Sequence, residues 1–195
     1  SIIIPAYNEE KTIHFILDKV KAVKLNGELA KQVIIVNDCS SDDTKGAVEK
    51  YISANSELNI TYYEHEVNKG KGAALHTGIK KAQGDLLIIQ DADLEYDPEE
   101  YNDLLKPMLG GHADVVYGSR FLGGNPHRIL FYWHSIGNKL LTRWSNRFTN
   151  LNLTDMETCY KLFKTDIIQD MRLNENRFGF EPEITAKISR IKNIR

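Results

Sequence analysis

The chain has 195 residues, 42% of them hydrophobic, which is enough to bury the core of one domain. Its formal net charge of −2 argues against a nucleic-acid binder that relies on broad phosphate neutralisation. Cys39 and Cys159 provide neither a disulfide framework nor a metal-ligand cluster, which fits a reducing compartment. No secretory signal or membrane-length apolar run is visible, but the chain opens inside a strand-like run, so truncation at both ends stays open.

Strand-like and helix-like segments alternate over the first two-thirds of the chain. Short apolar runs predict strands at residues 2–4, 33–36, 60–63, 86–89 and 115–117. Helices are predicted after Asn8, the expected N-cap, after Ser41, from about Gly70 to Ala82, and from Asp97. This alternation is typical of βαβ units, and it predicts an α/β fold with a mostly parallel sheet flanked by helices.

The last third contains an amphipathic helix. One face carries Trp133, Ile136, Gly137, Leu140, Leu141, Trp144 and Phe148. Lys139, Arg143 and Arg147 form a basic stripe beside this face. An apolar face flanked by cations can lie in a membrane interface and meet anionic head groups. The alternative is an ordinary helix that packs its apolar face on the sheet.

Two aspartates directly follow the predicted strand at residues 86–89. Ligands of open α/β sheets bind outside the carboxyl ends of the strands, where Asp91 and Asp93 emerge. Together with Glu95, these oxygen ligands suit Mg²⁺ or Mn²⁺ that bridges to substrate phosphates. A solvated acidic turn is the alternative for an isolated Asp-x-Asp.

The loops after the first two strands carry further candidates at the same edge. Tyr7 can stack on a nucleobase, and Glu9 can accept its hydrogen bonds. Asp38 can accept from a base or a ribose, although helix capping is an alternative for both loops. The run Asn68–Gly72 suggests phosphate contact but lacks the P-loop spacing, so tight helix–sheet packing is the preferred explanation for its glycines.

The order of these motifs resembles that of the inverting family 2 glycosyltransferases. The resemblance is carried by residues 5–9, 36–44, 68–72, 91–95, 117–121 and 153–161, and it ends near residues 178–183. The later motifs look most like the dolichol-phosphate mannosyltransferase branch, which also contains other polyprenyl-phosphate glycosyltransferases. The resemblance implies one catalytic domain over residues 1–195, with a Rossmann-like nucleotide-sugar-binding fold of GT-A type.

Residue roles follow from the same resemblance. It implies a nucleotide-sugar and metal half over about residues 1–118 and an acceptor half over about residues 119–195. The residues implied at the nucleotide are Pro5, Tyr7, Glu9, Asp38 and Asp91, and those implied at Mg²⁺ or Mn²⁺ are Asp91, Asp93 and Glu95. Arg120 is implied near phosphates and Arg128 at the acceptor phosphate. Asp155 is implied as the acceptor-side acid, and Glu181 and Glu183 in a segment that closes the site. Glu95 departs from the branch, which often has Gln there.

The expected reaction moves a sugar from a GDP-mannose or UDP-glucose type of donor to a polyprenyl phosphate at the cytoplasmic membrane face. A polyprenyl phosphate needs no general base, because its second pKa is about 6. A glycan hydroxyl acceptor would need one, for which Asp155 is the best candidate. A catalytically silent nucleotide-binding module is a further alternative, and homo-oligomerisation is left open.

Overall fold

The computed structural model describes residues 1–121 and 132–195. In this part of the chain a six-stranded sheet contains β1 (Ile2–Ala6), β2 (Val33–Asn37), β3 (Ile60–Glu64), β4 (Leu86–Ile89), β5 (Val115–Tyr117) and β6 (Lys161–Lys164). The strand order is β3-β2-β1-β4-β6-β5. Strands β1 to β4 pair in parallel, whereas β6 is antiparallel to both neighbours. The predicted α/β fold with a mostly parallel sheet is therefore confirmed.

Helices cover both faces of this sheet. Their bounds are α1 (Ile13–Ala22), α2 (Thr44–Ala54), α3 (Lys71–Lys81), α4 (Tyr101–Leu109), α5 (Tyr132–Thr149), α6 (Thr165–Gln169) and α7 (Phe180–Ile188), with a 3₁₀ turn (Pro98–Glu100) before α4. Alternate residues of β1 enter different layers: Ile2 and Ile4 pack with α1, α2 and α4, while Ile3 packs with α3, α6 and α7. Burial on both faces explains the unbroken apolar runs of the central strands.

The structure departs from the predicted elements around β1. The strand continues through Pro5 to Ala6, two residues beyond its predicted end at Ile4. The prediction that Asn8 caps α1 is wrong, because Thr12 holds that position and Asn8 has a φ of 60°. The Asn8 side-chain oxygen instead accepts from the backbone N–H of Ser41 at 2.8 Å, so it joins the loops that follow β1 and β2.

Strand β6 was not predicted, and it determines how the site is assembled. It enters the sheet between β4 and β5, and Leu162 pairs with Ile88. Because β6 runs antiparallel to β4, the chain segment before Lys161 lies beside the carboxyl end of β4. This topology brings residues 155–160 next to the Asp91–Asp93 turn.

Candidate active site

A cleft of about 380 Å³ lies at the carboxyl ends of β1, β2 and β4. Six sequence-predicted residues line it: Pro5, Tyr7, Glu9, Asp38, Asp91 and Asp93. Its volume falls in the range of small-ligand sites. Its position is the edge at which open α/β sheets bind ligands. The structure thus brings most of the predicted nucleotide and metal residues into one cleft.

Hydrogen bonds between neighbouring loops fix the cleft wall around Tyr7. The backbone N–H of Glu9 donates to the Thr44 hydroxyl at 2.8 Å, and that of Asn8 donates to the Ser40 hydroxyl at 2.9 Å. The Glu9 carboxylate accepts from the Thr12 hydroxyl, next to the start of α1. Tyr7 itself remains 50% exposed. The loop is thus held in place while the Tyr7 ring stays accessible.

Asp38 is 3% exposed and does not cap the helix that follows it in sequence. The N-cap of α2 is Asp43, which accepts from the Gly46 N–H. The Asp38 carboxylate accepts from the backbone N–H groups of Lys69 at 3.0 Å and Gly70 at 2.6 Å, directly before α3. It also contacts the His65 ring at 2.7 Å. Asp38 therefore joins the end of β2 to the beginning of α3.

Lys71 is a cleft residue to which the sequence assigned no individual role. Its ammonium group lies 2.6 Å from an Asp91 carboxylate oxygen and 2.9 Å from the Cys159 sulfur. Burial alone would lower the pKa of Lys71, but the Asp91 carboxylate outweighs it and raises that pKa. Burial, reinforced by Asp91, raises the pKa of Cys159 and keeps the thiol protonated. The only signal in the sequence was the lysine-containing glycine run.

The three acidic residues of the turn after β4 have different partners. Asp91 pairs with Lys71, Asp93 accepts from the Glu95 N–H at 3.0 Å, and Glu95 lies 3.4 Å from Arg120. Among the described residues, no three His, Cys, Asp or Glu side chains converge as a preformed metal centre. Asp91 and Asp93 both line the cleft, so their oxygens fit a divalent cation that completes its shell with substrate phosphates.

Asp155 forms the centre of a second cluster beside the acidic turn. It is 1% exposed and pairs bidentately with Arg120, at 2.8 Å from Nε and 3.0 Å from Nη2. The Arg120 backbone N–H and the Asn138 amide donate to it at 3.2 and 2.7 Å. Burial alone would raise the pKa of Asp155, but Arg120 and Asn138 outweigh it and hold that pKa below its usual range.

Helix α5 presents its polar side to the rest of the domain. Asn138 contacts Asp155, the Thr142 hydroxyl accepts from the Met156 N–H at 3.1 Å, and the Asn146 amide donates to the Leu153 carbonyl at 2.7 Å. The apolar side faces outward, with exposed fractions of 54% for Leu140, 52% for Leu141, 53% for Trp144 and 77% for Phe148. The alternative in which the apolar face packs on the sheet is therefore wrong.

Residues 174–178, the segment before α7, close over the start of α3. Gly70 has a φ of +98°, and a Cβ on Gly72 would lie 2.4 Å from the Glu175 carbonyl oxygen. The close neighbour of these glycines is thus this segment and not the sheet, contrary to the preferred explanation from sequence. The Glu183 carboxylate holds the segment through the backbone N–H groups of Asn174 and Glu175, at 2.9 and 2.8 Å.

This closing segment adds two cleft residues to which the sequence assigned no individual role. Arg177 and Phe178 line the cleft, and Phe178 is 88% exposed. Glu181 is buried beside Cys159, with 3.7 Å between its Oε1 and the Cys159 sulfur. Arg128, predicted at the acceptor phosphate, lies outside the described residues.

Comparisons with known proteins agree with this architecture. Residues 1–172 match the family described as Glycosyl transferase family 2. A dodecaprenyl-phosphate galacturonate synthase of Rhizobium johnstonii is 24% identical over 188 residues, which cover 96% of this chain and 54% of that protein. A dolichyl-phosphate beta-glucosyltransferase, ALG5A of Trichomonas vaginalis, is 31% identical, covering 98% of this chain and 61% of that protein. The chain spans little more than half the length of these relatives.

Solved structures confirm a fold of GT-A type. The mannosyltransferase PcManGT from Pyrobaculum calidifontis, in complex with GDP-Man and Mn²⁺, superposes with a TM-score of 0.68 at 21% identity, covering 100% of this chain and 52% of that one. Glucosyl-3-phosphoglycerate synthase from Mycobacterium tuberculosis, with Mn²⁺, uridine-diphosphate and phosphoglyceric acid, gives 0.68 at 19% identity, covering 93% and 60%.

Proposed function

Since the chain belongs to glycosyl transferase family 2, we propose that it carries out metal-dependent, inverting transfer of a sugar from a nucleotide-sugar donor to a polyprenyl phosphate. In this proposal residues 1–118 form the donor half around the cleft. Residues 119–195 form the acceptor half around Asp155 and α5.

The observation that supports a phosphate acceptor is the environment of Asp155. A general base must offer a lone pair to the proton that it removes. Asp155 already accepts four hydrogen bonds and is 1% exposed, and its lowered pKa makes it a weak base. A glycan hydroxyl could therefore not use Asp155 as its base, whereas a phosphate with a second pKa of about 6 is already a nucleophile at neutral pH.

The donor half supplies binding and charge compensation. In our proposal Tyr7 stacks on the base, Pro5 and Glu9 line the nucleoside site, and Asp38 accepts from the base. Asp91 and Asp93 would hold Mg²⁺ or Mn²⁺, which neutralises charge on the leaving diphosphate, while Glu95 contributes through Arg120. Lys71 and Arg177 add positive charge at the same cleft.

The transfer step itself needs few protein groups. An acceptor phosphate oxygen forms a bond to the anomeric carbon while the bond from that carbon to the diphosphate oxygen breaks. Approach from the face opposite the leaving group inverts the anomeric configuration. We propose that Arg120, which is predicted near the phosphates, also holds Asp155 and Glu95 in place, and that Arg128 binds the acceptor phosphate.

The named relatives support the acceptor and the metal. The synthase of Rhizobium johnstonii is named for a dodecaprenyl phosphate, and the Trichomonas vaginalis enzyme for a dolichyl phosphate. Both cited solved structures of this fold contain Mn²⁺. Their donors differ in the base, so the fold alone does not select the nucleotide.

The outward face of α5 supports action at an anionic membrane surface, which we propose to be the cytoplasmic face. Exposed Leu140, Leu141, Trp144 and Phe148 form an apolar patch, and exposed Lys139, Arg143 and Arg147 flank it with positive charge. Among the described residues, no helix is long and apolar enough to cross a membrane. Peripheral contact through α5 would place the acceptor half at the surface that holds the lipid phosphate.

The deciding experiment measures transfer of radiolabelled sugar into an organic-extractable product, with a short polyprenyl phosphate, a panel of nucleotide sugars, and Mn²⁺ or EDTA. We expect metal-dependent label in the lipid phase from one donor. Label only in a soluble glycan would contradict the phosphate acceptor. Donor binding without turnover on either acceptor would favour a silent module. Asp103→Asn, on the exposed side of α4, is the control that should leave the result unchanged.

A further inference from the structure

We infer that His65 makes the cleft selective for a uridine diphosphate sugar over a guanosine diphosphate sugar, because it helps leave Asp38 only one open acceptor position. This inference rests on the proposed function and adds the class of donor to it. His65 does not line the cleft; it acts through Asp38, so it is a positioning residue.

His65 is fixed on both sides of its ring. Its side chain is 9% exposed, and that of Asp38 is 5% exposed. Its Nδ1 lies 2.7 Å from Asp38 Oδ1, and its Nε2 lies 2.8 Å from the Thr77 hydroxyl on α3. Because an ionised carboxylate can only accept, Nδ1 carries the proton of the contact with Asp38. The ring therefore sets the orientation of the carboxylate.

The acceptor positions of Asp38 can be counted from its partners. A carboxylate offers about four lone-pair positions, two on each oxygen. Oδ1 accepts from His65 Nδ1 at 2.7 Å and from the Lys69 N–H at 3.0 Å, so both of its positions are used. Oδ2 accepts from the Gly70 N–H at 2.6 Å, and the Lys69 N–H is its longer, shared contact at 3.2 Å. One full position, on Oδ2, remains for a ligand.

The four nucleobases differ in what they offer to this position. Uracil presents a single imide N–H, which one acceptor satisfies. Guanine presents two adjacent donors, N1–H and the amino group, which require both oxygens of a carboxylate to be satisfied together. Adenine and cytosine present ring lone pairs beside their amino groups, which the carboxylate repels. Leaving one guanine donor unpaired in a buried contact costs affinity, so Asp38 favours uracil.

Tyr7 can stack on either base and therefore does not distinguish uracil from guanine. The 50% exposed ring offers a stacking surface at the same cleft, and every base has a face that can stack. The fold does not select the base either, because the two solved structures cited above hold a guanosine and a uridine nucleotide. Selection between uracil and guanine therefore depends on the acceptor positions that the protein offers to the base. At Asp38, the contact with His65 determines which of these positions stay open.

The test is calorimetric binding of UDP and of GDP, each with Mn²⁺, to the wild-type chain and to two His65 variants. We expect UDP to bind at least about tenfold more tightly than GDP in the wild type. His65→Phe keeps a ring but removes the donor, which frees one of the two positions on Oδ1, and should reduce the UDP-to-GDP ratio to below about threefold. His65→Asn restores an N–H toward Asp38 and should retain most of the preference. Exposed His112→Phe is the matched control.

Equal or tighter binding of GDP by the wild type would overturn the inference. So would an unchanged UDP-to-GDP ratio in His65→Phe, or a failure of both nucleotides to bind. The ratio of UDP affinity to GDP affinity is measured within each variant. A general loss of folded protein affects both measurements alike and therefore does not produce the expected change in the ratio. Because no acceptor is present, the outcome is separate from the transfer assay: UDP-selective binding without lipid product would remove the proposed acceptor and keep the inference.

Discussion

The donor cleft and the acceptor-side cluster both contain aspartates paired with a cation, but their surroundings differ. Asp91 lines an open cleft, and its ammonium partner is Lys71 at 2.6 Å. Asp155 is 1% exposed and accepts four hydrogen bonds, three of them from Arg120. The first carboxylate can exchange a partner for an incoming ligand, whereas the second has its acceptor positions filled by protein.

This difference separates two kinds of carboxylate in one active site. A group that binds metal or nucleotide must keep accessible lone pairs, as Asp91 and Asp93 do at the cleft. A group that orients its neighbours works best when its hydrogen bonds are complete, because incomplete buried networks are costly. In the proposed function the same residue type therefore binds ligands in the cleft and orients neighbouring side chains in the Asp155 cluster.

The largest effect is expected at the cleft carboxylates. Asp91→Asn and Asp93→Asn should each lower sugar transfer by about a hundredfold or more, since each removes charge that neutralises the diphosphate. Mn²⁺ binding in the presence of UDP, followed by the electron paramagnetic resonance of free Mn²⁺, should weaken in parallel. Asp103→Asn should change neither quantity. Mn²⁺ binding that persists in both cleft variants would refute the metal assignment.

A smaller and qualitatively different effect is expected at Asp155. Its pKa is lowered, so it stays ionised between pH 5 and 8 and should not shape the pH profile there. The rate on polyprenyl phosphate should instead rise through pH about 6, where the acceptor loses its second proton. Asp155→Asn should lower the rate about tenfold through disorder of Arg120 and keep the same profile.

The contrary outcome for Asp155 is equally specific. If this carboxylate were a general base, Asp155→Asn would lower the rate by about a thousandfold and change the pH dependence. Asn138→Ala is the matched variant, because it removes the 2.7 Å contact to Asp155 and otherwise only a 3.3 Å hydrogen bond that the Asn138 side chain accepts from the Thr142 hydroxyl. It should reproduce part of the rate loss with no change in the profile.

The proposed membrane contact of α5 should be separable from the proposed catalysis in the cleft. Replacing Leu140 and Trp144 together by Ser should weaken co-sedimentation with phosphatidylglycerol vesicles about tenfold, because exposed apolar surface is removed. Stability should change by no more than about 0.5 kcal/mol per site. Leu109→Ser, at a 47% exposed leucine on α4, is the control. Unchanged vesicle binding would contradict the role of this face.

The smallest expected effects distinguish two helical glycines. Gly137 on α5 has nothing within 4 Å of an added Cβ, so Gly137→Ala should raise the free energy of unfolding by about 0.5–1 kcal/mol. On α3, Gly72→Ala should lower it by about 1–3 kcal/mol, because the Cβ meets the Glu175 carbonyl oxygen at 2.4 Å. Chemical denaturation measures both. Equal responses would refute the close contact at Gly72.

Several features of the molecule followed from local patterns in the sequence. The apolar runs predicted β1 to β5, and the polar residues after β1, β2 and β4 were expected at a common edge, where Tyr7, Asp38 and Asp91 do line one cleft. These predictions succeed because parallel strands in a layered α/β domain align their carboxyl ends. The roles assigned to the site residues all stay predictions: those of Tyr7, Asp38, Asp91 and Asp155 as well as those of Pro5, Glu9, Asp93, Glu95, Arg120 and Arg128.

Other features depend on contacts between residues far apart in the chain. Strand β6 was missed because its pairing with β4 and β5 is not visible in a four-residue segment that begins and ends with lysine. The same nonlocal pairing brings Cys159 to Lys71 and Asp155 to Arg120. The segment with Arg177 reaches the cleft only because the glycines at the start of α3 leave room for it.

The sequence by itself determined the layered fold, the edge at which the site forms and the composition of the amphipathic helix α5. The tertiary structure decided which lone pairs remain available, as at Asp38 and Asp155, and which side of α5 faces outward. The physical reason is that periodicity reports which residues share a face. The partner of that face, and the donors that saturate a carboxylate, are supplied by distant parts of the chain.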